Sequence, residues 1–449
     1  MTQEQALKVL QSGKNVFLTG EAGAGKSWLV NQFIRWCKEN RMTVAIGAST
    51  GIAAMQLDGG RTIHSLCGLG SEADDKVFDD KKIWDIASKP WTQKELSARV
   101  IIIDEISMLS AVAFTNARNV IHQARGGVVA GDGFWGGAQI VVVGDFFQLP
   151  PVQERGKAPR HFAFQSKTWE QSNFEVCYLT EQHRQNDLAY NEVLNHLRSG
   201  TFTKKDLNYL KSAARSDDHD LESTKLYPSN KAVDEWNQNE LRKLKAVDSH
   251  TYTMEDIVLD GTLKEASRDF IFSFMHDKCL SPYQLTLKIG ALVMFTANKY
   301  KHNDNDGDEF DWQPAELLWA NGTLGKVVAF KGERPVVEVA DGTRWIVDYH
   351  QWTYKQRGRA VAAISQIPLR LAWAITIHKS QGMTLDKLTV DLSRTFAPGM
   401  EYVALSRVRS LNSLHLLGFQ NSPPEMHPLV VEKDKEFRRL SAVTEKKYA

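Results

Sequence analysis

The apolar run Val16-Phe17-Leu18 leads into Gly20-Glu-Ala-Gly-Ala-Gly-Lys26-Ser27, and a helical stretch follows at once. Strand, glycine-rich loop and helix in that order form a cradle for phosphate. The glycines, Gly23 and Gly25 among them, let successive N–H groups turn inward, and the helix offers the positive end of its dipole. In such a cradle Lys26 reaches the β and γ phosphates of a nucleoside triphosphate, and Ser27 ligates Mg²⁺. A second apolar, β-branched run, Val100-Ile-Ile-Ile103, reads as a buried parallel strand and ends in Asp104-Glu105. At the carboxyl end of such a strand Asp104 can hold Mg²⁺ through its water shell, and Glu105 can orient and deprotonate the attacking water. A third run, Gln139 to Gly144, passes into Asp145-Phe-Phe-Gln148, where Gln148 is placed to sense the γ-phosphate and its departure. Guanine specificity is not supported, because Asn298-Lys299-Tyr300-Lys301 lacks the aspartate that would pair the guanine edge.

A chain of 449 residues suffices for two or three domains. Strand and helix alternate over residues 1–182, which predicts an α/β domain with a parallel sheet. A second alternating set begins at Lys225-Leu-Tyr-Pro-Ser229 and resumes over residues 385–392 and 413–418, so residues 183–449 are read as a second such domain. From residue 301 to about 365 the texture changes to short β-branched runs broken by Asn321-Gly322 and Asp341-Gly342, the pattern of hairpins in a small inserted barrel. Residues from about 70 to 95 form a smaller polar insertion carrying Trp84 and Trp91.

Charge bounds the partners. With 55 basic against 54 acidic residues and a net charge of +1, no global field attracts a polyanion, so any grip on nucleic acid must be local. Cys37, Cys67, Cys177 and Cys279 have neither metal-type spacing nor a disulfide framework, and four scattered thiols suit a reducing compartment. No run approaches the length of a membrane span, and the first residues lack the pattern of an export signal. The expected address is the cytoplasm of a bacterium, or of one infected by a phage, with no membrane partner. The acidic stretch from His302 to Glu309 resembles a calcium loop only in part: its first ligand position is His, its twelfth is Gln313, and flanking amphipathic helices are missing. A solvated loop is the better reading.

Eight segments in order carry a family resemblance: Gly20 to Ser27, Ala48 to Ala54, Thr62 to Leu66, Asp104 to Ser107, Gly144 to Val152, Leu179 to Gln185, Ile377 to Thr384 and Tyr402 to Arg407. Together they resemble superfamily-one DNA helicases, and among these the Pif (petite integration frequency) family, over residues 5 to about 417; RecD-like and Dda-like helicases are relatives. The resemblance implies two RecA-like domains, the barrel inserted in the second and a wedge in the first, with ATP and Mg²⁺ bound between them. It places Gln5 at the adenine edge and Gly382 at the nucleotide, and makes Arg184 and Arg407 arginine fingers, a role for which a planar guanidinium is suited. It lines a single-strand channel with Thr50, Thr62 and His64 from the first domain and His378, Lys379 and Thr384 from the second. Phe146 and Phe147 are the aromatics first expected to stack on bases, Phe147 foremost. It further implies a monomer that travels 5′ to 3′ on single-stranded DNA and opens duplexes, forks, RNA–DNA hybrids and G-quadruplexes. Three alternatives stay open: a RecD-like subunit of a recombination complex, an ATP-gated single-strand-binding module that does not unwind, and a small-molecule kinase.

Overall fold

The computed structural model describes residues 1–50, 61–127, 133–153, 158–181, 187–212, 224–227, 230–245, 248–297, 299–300, 317–319, 322–356, 359–377, 380–381, 385, 387–420, 424 and 426–448. Two compact units emerge, one made of Met1–Ser216 with Val390–Ala449, the other of Asp217–Thr389. This grouping does not follow the expected boundary at 182/183. The reason is that the helices Leu188–Ser199, Met400–Leu405 and Pro428–Lys447 belong to the unit that holds the phosphate loop.

The first unit is built on six strands: β1 (Val16–Gly20), β2 (Val44–Ala48), β3 (Arg61–Thr62), β4 (Val100–Asp104), β5 (Gln139–Val143) and β6 (Glu175–Leu179). They lie in the order β3-β2-β4-β5-β1-β6, and every pairing in that sheet is parallel. β1 and β5 are buried at every position and β4 at all but its last, as expected of strands covered on both faces. The helix Lys26–Glu39 packs Leu29, Val30, Phe33 and Cys37 into the core beside Val16, Leu18 and Val141. The insertion near residues 70–95 consists of a 3₁₀ turn, Ser71–Asp74, and two short helices, Asp80–Ala87 and Pro90–Leu96. Trp84 stands 56% exposed there.

β6 is a sheet edge, and an open edge invites unwanted pairing. Here the helix Pro428–Lys447 covers it. Ser441 Oγ accepts the Tyr178 N–H at 3.0 Å, and Phe437 enters an aromatic cluster with ring centroids 4.9 Å from Phe17.

In the second unit, Ala374–Thr376 pairs in parallel with Thr224–Tyr227, and the helix Asn230–Lys243 is fixed to that pair by Asn237, which exchanges two 2.8 Å hydrogen bonds with the Ala374 backbone. The strands that follow are joined in antiparallel pairs. A five-stranded sheet runs in the order Arg344–Ile346, Arg334–Val339, Leu324–Lys331, Leu292–Phe295, Leu369–Leu371. The Asp341-Gly342 turn joins the first two of these, with Asp341 Oδ1 accepting the Thr343 N–H at 2.8 Å. Antiparallel structure begins earlier than residue 301: Ser249–Thr253 pairs with Gln284–Lys288, and Glu255–Val258 with Arg359–Gln366. The acidic stretch 302–309 lies outside the described residues.

Phe437→Ala should lower the stability of the first unit by about 3–5 kcal/mol, the cost of emptying a buried aromatic site. Urea unfolding followed by tryptophan fluorescence measures it.

Candidate nucleotide site

The carboxyl ends of β1, β4 and β5 bring three loops together. After β1 the chain turns through the phosphate loop, and Gly25 caps the following helix with φ 81°, a left-handed conformation that glycine adopts freely. Lys26 Nζ lies over this loop, donating to Gly20 O at 2.8 Å and Glu21 O at 3.0 Å. Ser27 lies in the first helical turn. The lysine amine is therefore held against carbonyls of its own loop.

β4 delivers the carboxylates. Asp104 Oδ1 accepts the Glu105 N–H at 2.8 Å, and Ser49 Oγ donates to Glu105 O at 2.6 Å, which anchors the backbone from β2. Glu105 itself sits at φ 51°, ψ 47°, a strained conformation for a residue with a side chain. Desolvation raises Asp104 above the usual carboxylate range. Desolvation, then the neighbouring Asp104 charge, pushes Glu105 up to about 7, against the opposing pull of Lys26 and Arg407. Arg407 is 1% exposed. Its guanidinium donates from Nε to Val403 O at 2.7 Å and from Nη2 to Ser406 Oγ at 2.7 Å.

After β5 the chain makes a turn in which Gln148 N donates to Asp145 O at 3.0 Å. Gln148 is buried at its tip. Phe147, expected to stack on bases, is instead buried, with the Arg198 guanidinium carbon 4.4 Å from its ring centroid. Phe146 is core as well, 4.8 Å from Phe164 between ring centroids.

Other expected residues are distributed as follows. Gln5 is the third residue of its helix and closes a capping box with Thr2, its Oε1 accepting the Thr2 N–H at 2.9 Å. Gln3, two residues earlier, donates to Ala24 O of the phosphate loop at 3.2 Å. Thr62 caps the helix Ile63–Cys67 by accepting the Ser65 N–H at 3.1 Å. Thr50 is half-buried just beyond β2. Arg184, His378, Lys379, Gly382 and Thr384 lie outside the described residues.

Sequence reasoning missed Arg198. It is 3% exposed and donates to Asp145 Oδ2 at 2.7 Å, Tyr402 Oη at 3.1 Å and Tyr178 Oη at 2.7 Å. A signal was present: Tyr190, Val193, Leu194, Leu197 and Arg198 occupy one face of the helix Leu188–Ser199, so the arginine interrupts an otherwise apolar stripe.

Residues 2–207 match the PIF1-like helicase family. Over 98% of its length the chain is 36% identical to the ATP-dependent DNA helicase Pif1 of Bdellovibrio bacteriovorus, spanning 92% of that protein. It is 35% identical to the ATP-dependent DNA helicase Pif1 of a Psychrobacter species, again over 98% of the chain and across 71% of that relative. The chain belongs to the PIF1-like helicase family. The Pif1 helicase of Candida albicans superposes with a TM-score of 0.74 at 31% identity, over 97% of this chain and 98% of that one. A Bacteroides Pif1 in complex with ADP-AlF4 gives 0.72 at 26% identity, over 97% of this chain and 96% of that one.

In this PIF1-like helicase His64 is tied to the small insertion. Its Nε2 lies 3.0 Å from Asp74 Oδ2, and Ser110 Oγ donates to Asp74 Oδ1 at 2.6 Å. Burial alone would raise Asp74, but the hydrogen bonds from His64 and Ser110 outweigh it and hold the carboxyl below its ordinary value. A carboxyl depressed on folding contributes stability above its unfolded pKa and loses that contribution as pH falls through the folded one. Asp74→Asn should therefore cost about 1–2 kcal/mol at pH 7, a difference that fades below about pH 4; urea titrations of both chains across that range measure it.

The carboxylates separate binding from chemistry. Glu105→Gln should keep nucleotide affinity while turnover falls by at least about 100-fold, and Lys26→Ala should lose both, as read by fluorescent-nucleotide binding alongside phosphate release.

Proposed function

We propose that this helicase couples ATP hydrolysis to 5′ to 3′ travel on single-stranded DNA and so unwinds duplexes and forks, with RNA–DNA hybrids and G-quadruplexes as further substrates. The observation that carries the hydrolytic half is the shared parallel strand edge, which sets Lys26, folded over its own loop, beside the Asp104-Glu105 strand end. Lys26 binds the β and γ phosphates, Glu105 holds and deprotonates the attacking water, and Gln148 follows the γ-phosphate. Arg407, and Arg184 with it, neutralises charge spreading over the transferred phosphoryl oxygens. Gln5 reads the adenine edge through the amide nitrogen that its capping role leaves over, and Gly382 borders the nucleotide.

Ser27 and Asp104 present a hydroxyl and a carboxylate, hard oxygen donors that fit Mg²⁺ and would hold it; bound there, the ion offsets phosphate charge. Along the strand, Thr50, Thr62, His64, His378, Lys379 and Thr384 contact the backbone. Short hydroxyls and imidazoles of this kind give sequence-independent contacts that break one at a time, as a stepping motor requires. The functional lobes divide near residue 182, the wedge near residues 70–95 meets the duplex at the fork, and a single copy suffices. Bacterial relatives and four free cysteines favour a bacterial cytoplasm as its location. Support for the DNA substrate comes from Bacteroides Pif1, whose solved structures include a complex with single-stranded DNA at 26% identity and a TM-score of 0.62.

Strand displacement on matched duplexes bearing a 5′ or a 3′ single-stranded tail tests the reading. Unwinding from the 5′ tail alone, absent in Lys26→Ala, is the expected result. Unwinding from the 3′ tail overturns the direction, and DNA-stimulated hydrolysis without displacement favours a gated binding module.

A further inference from the structure

The phosphate loop is held from behind as well as from within its own strand and helix. Ala22, its third residue, donates its backbone N–H to Tyr402 Oη at 2.9 Å. The same hydroxyl accepts from Arg198 at 3.1 Å and donates to Asp145 Oδ2 at 3.4 Å. A tyrosine hydroxyl has one proton and two lone pairs, so all of its capacity is spent on these three partners. Asp145 opens the turn that carries Gln148. One oxygen thus joins the loop that grips phosphate to the turn placed to sense it.

Two independent contacts follow the same lines. With its amide nitrogen turned to the Glu21 carboxylate, Asn195 donates to both oxygens at 2.9 and 3.2 Å, a second tie from the Arg198 helix to the loop. Gly399, which caps the Tyr402 helix at φ 84°, lies so close to the sensing turn that an added Cβ would come within 2.5 Å of Phe147 O and 2.9 Å of Gln148 O. The two helices are themselves joined, Tyr190 Oη donating to Leu405 O at 2.8 Å.

Stability alone does not account for the arginine. Its Nε is buried without a partner among the described residues, and a buried charge with an unsatisfied donor is commonly less stable than a well-packed apolar substitute. Its presence there points to a role in the site.

We propose that Arg198 and Tyr402 are positioning residues for ATP turnover: they brace the phosphate loop through Ala22 and fix it to the sensing turn through Asp145. This rests on the reading of the Lys26 loop as the ATP site. The brace presets the loop before nucleotide arrives, so its loss weakens binding more than it slows the bound complex.

Tyr402→Phe in the full chain is the test, since it removes one oxygen and leaves the ring and the Arg198–Asp145 pair. DNA-stimulated hydrolysis is measured across ATP concentrations at 25 °C, with thermal unfolding alongside. The expected result is a KM for ATP raised about 3- to 10-fold, the loss of the single hydrogen bond that reaches the loop, with kcat changed by less than about twofold. Arg198→Lys, which keeps the charge but cannot span both tyrosine hydroxyls, should move KM in the same direction. A lowered Tm with KM unchanged in Tyr402→Phe would make the network a structural support and overturn the brace alone, provided wild-type hydrolysis depends on Lys26. Wild-type hydrolysis that survives Lys26→Ala would overturn the ATP-site reading and the brace with it.

Discussion

Parallel pairing between β1, β4 and β5 is the constraint on which the nucleotide site rests. Parallel strands end on one edge, so three loops that are distant in sequence converge there without further instruction. Register sets the detail: Leu18 lies opposite Val143 and Ile103 opposite Val142, so Gly20, Asp104 and Asp145 each emerge within a residue or two of the same level. A one-residue slip would turn buried side chains to the opposite face and carry the carboxylates away from the lysine.

The cluster so assembled is electrostatically costly. Two adjacent carboxylates are placed where desolvation raises both and repulsion from Asp104 raises Glu105 further, and two cations from opposite ends of the chain, Lys26 and Arg407, offset part of that cost. Glu105 also bears a left-handed backbone, worth roughly 1–2 kcal/mol of strain. The neighbouring Ser49 and Asp104 contacts overdetermine that conformation, so the strain is maintained by structure on both sides. A carboxyl near neutrality in a rigid frame is what water activation needs.

Much of this could be read from residue order. The loop, the Asp104-Glu105 strand end and the parallel sheet follow from apolar runs punctuated by glycine and acid, signals that are local and periodic. The burial of Phe146 and Phe147 was not legible, because periodicity does not say which ring is covered: both sit beside Gln148, one packing on Phe164 and the other lying under Arg198. The contacts of Arg198 with Asp145 and of Tyr402 with Ala22 escaped because the partners are 53 and 380 positions apart. The early start of antiparallel structure at Ser249 was hidden by a polar, exposed strand, in which only Tyr252 is buried.

The cover on β6 has a consequence for synthesis. Tyr178 meets Asp434 across 256 positions of chain, and Phe17 waits longer still for Phe437. At roughly 5–20 residues per second, a ribosome leaves that face of the sheet bare for roughly 10–50 s while the whole second unit is made. A nascent chain in that interval carries an uncovered sheet edge beside exposed aromatic rings, the kind of surface that holding chaperones bind and that aggregation exploits. The arrival of the helix Pro428–Lys447 is therefore what closes that interval.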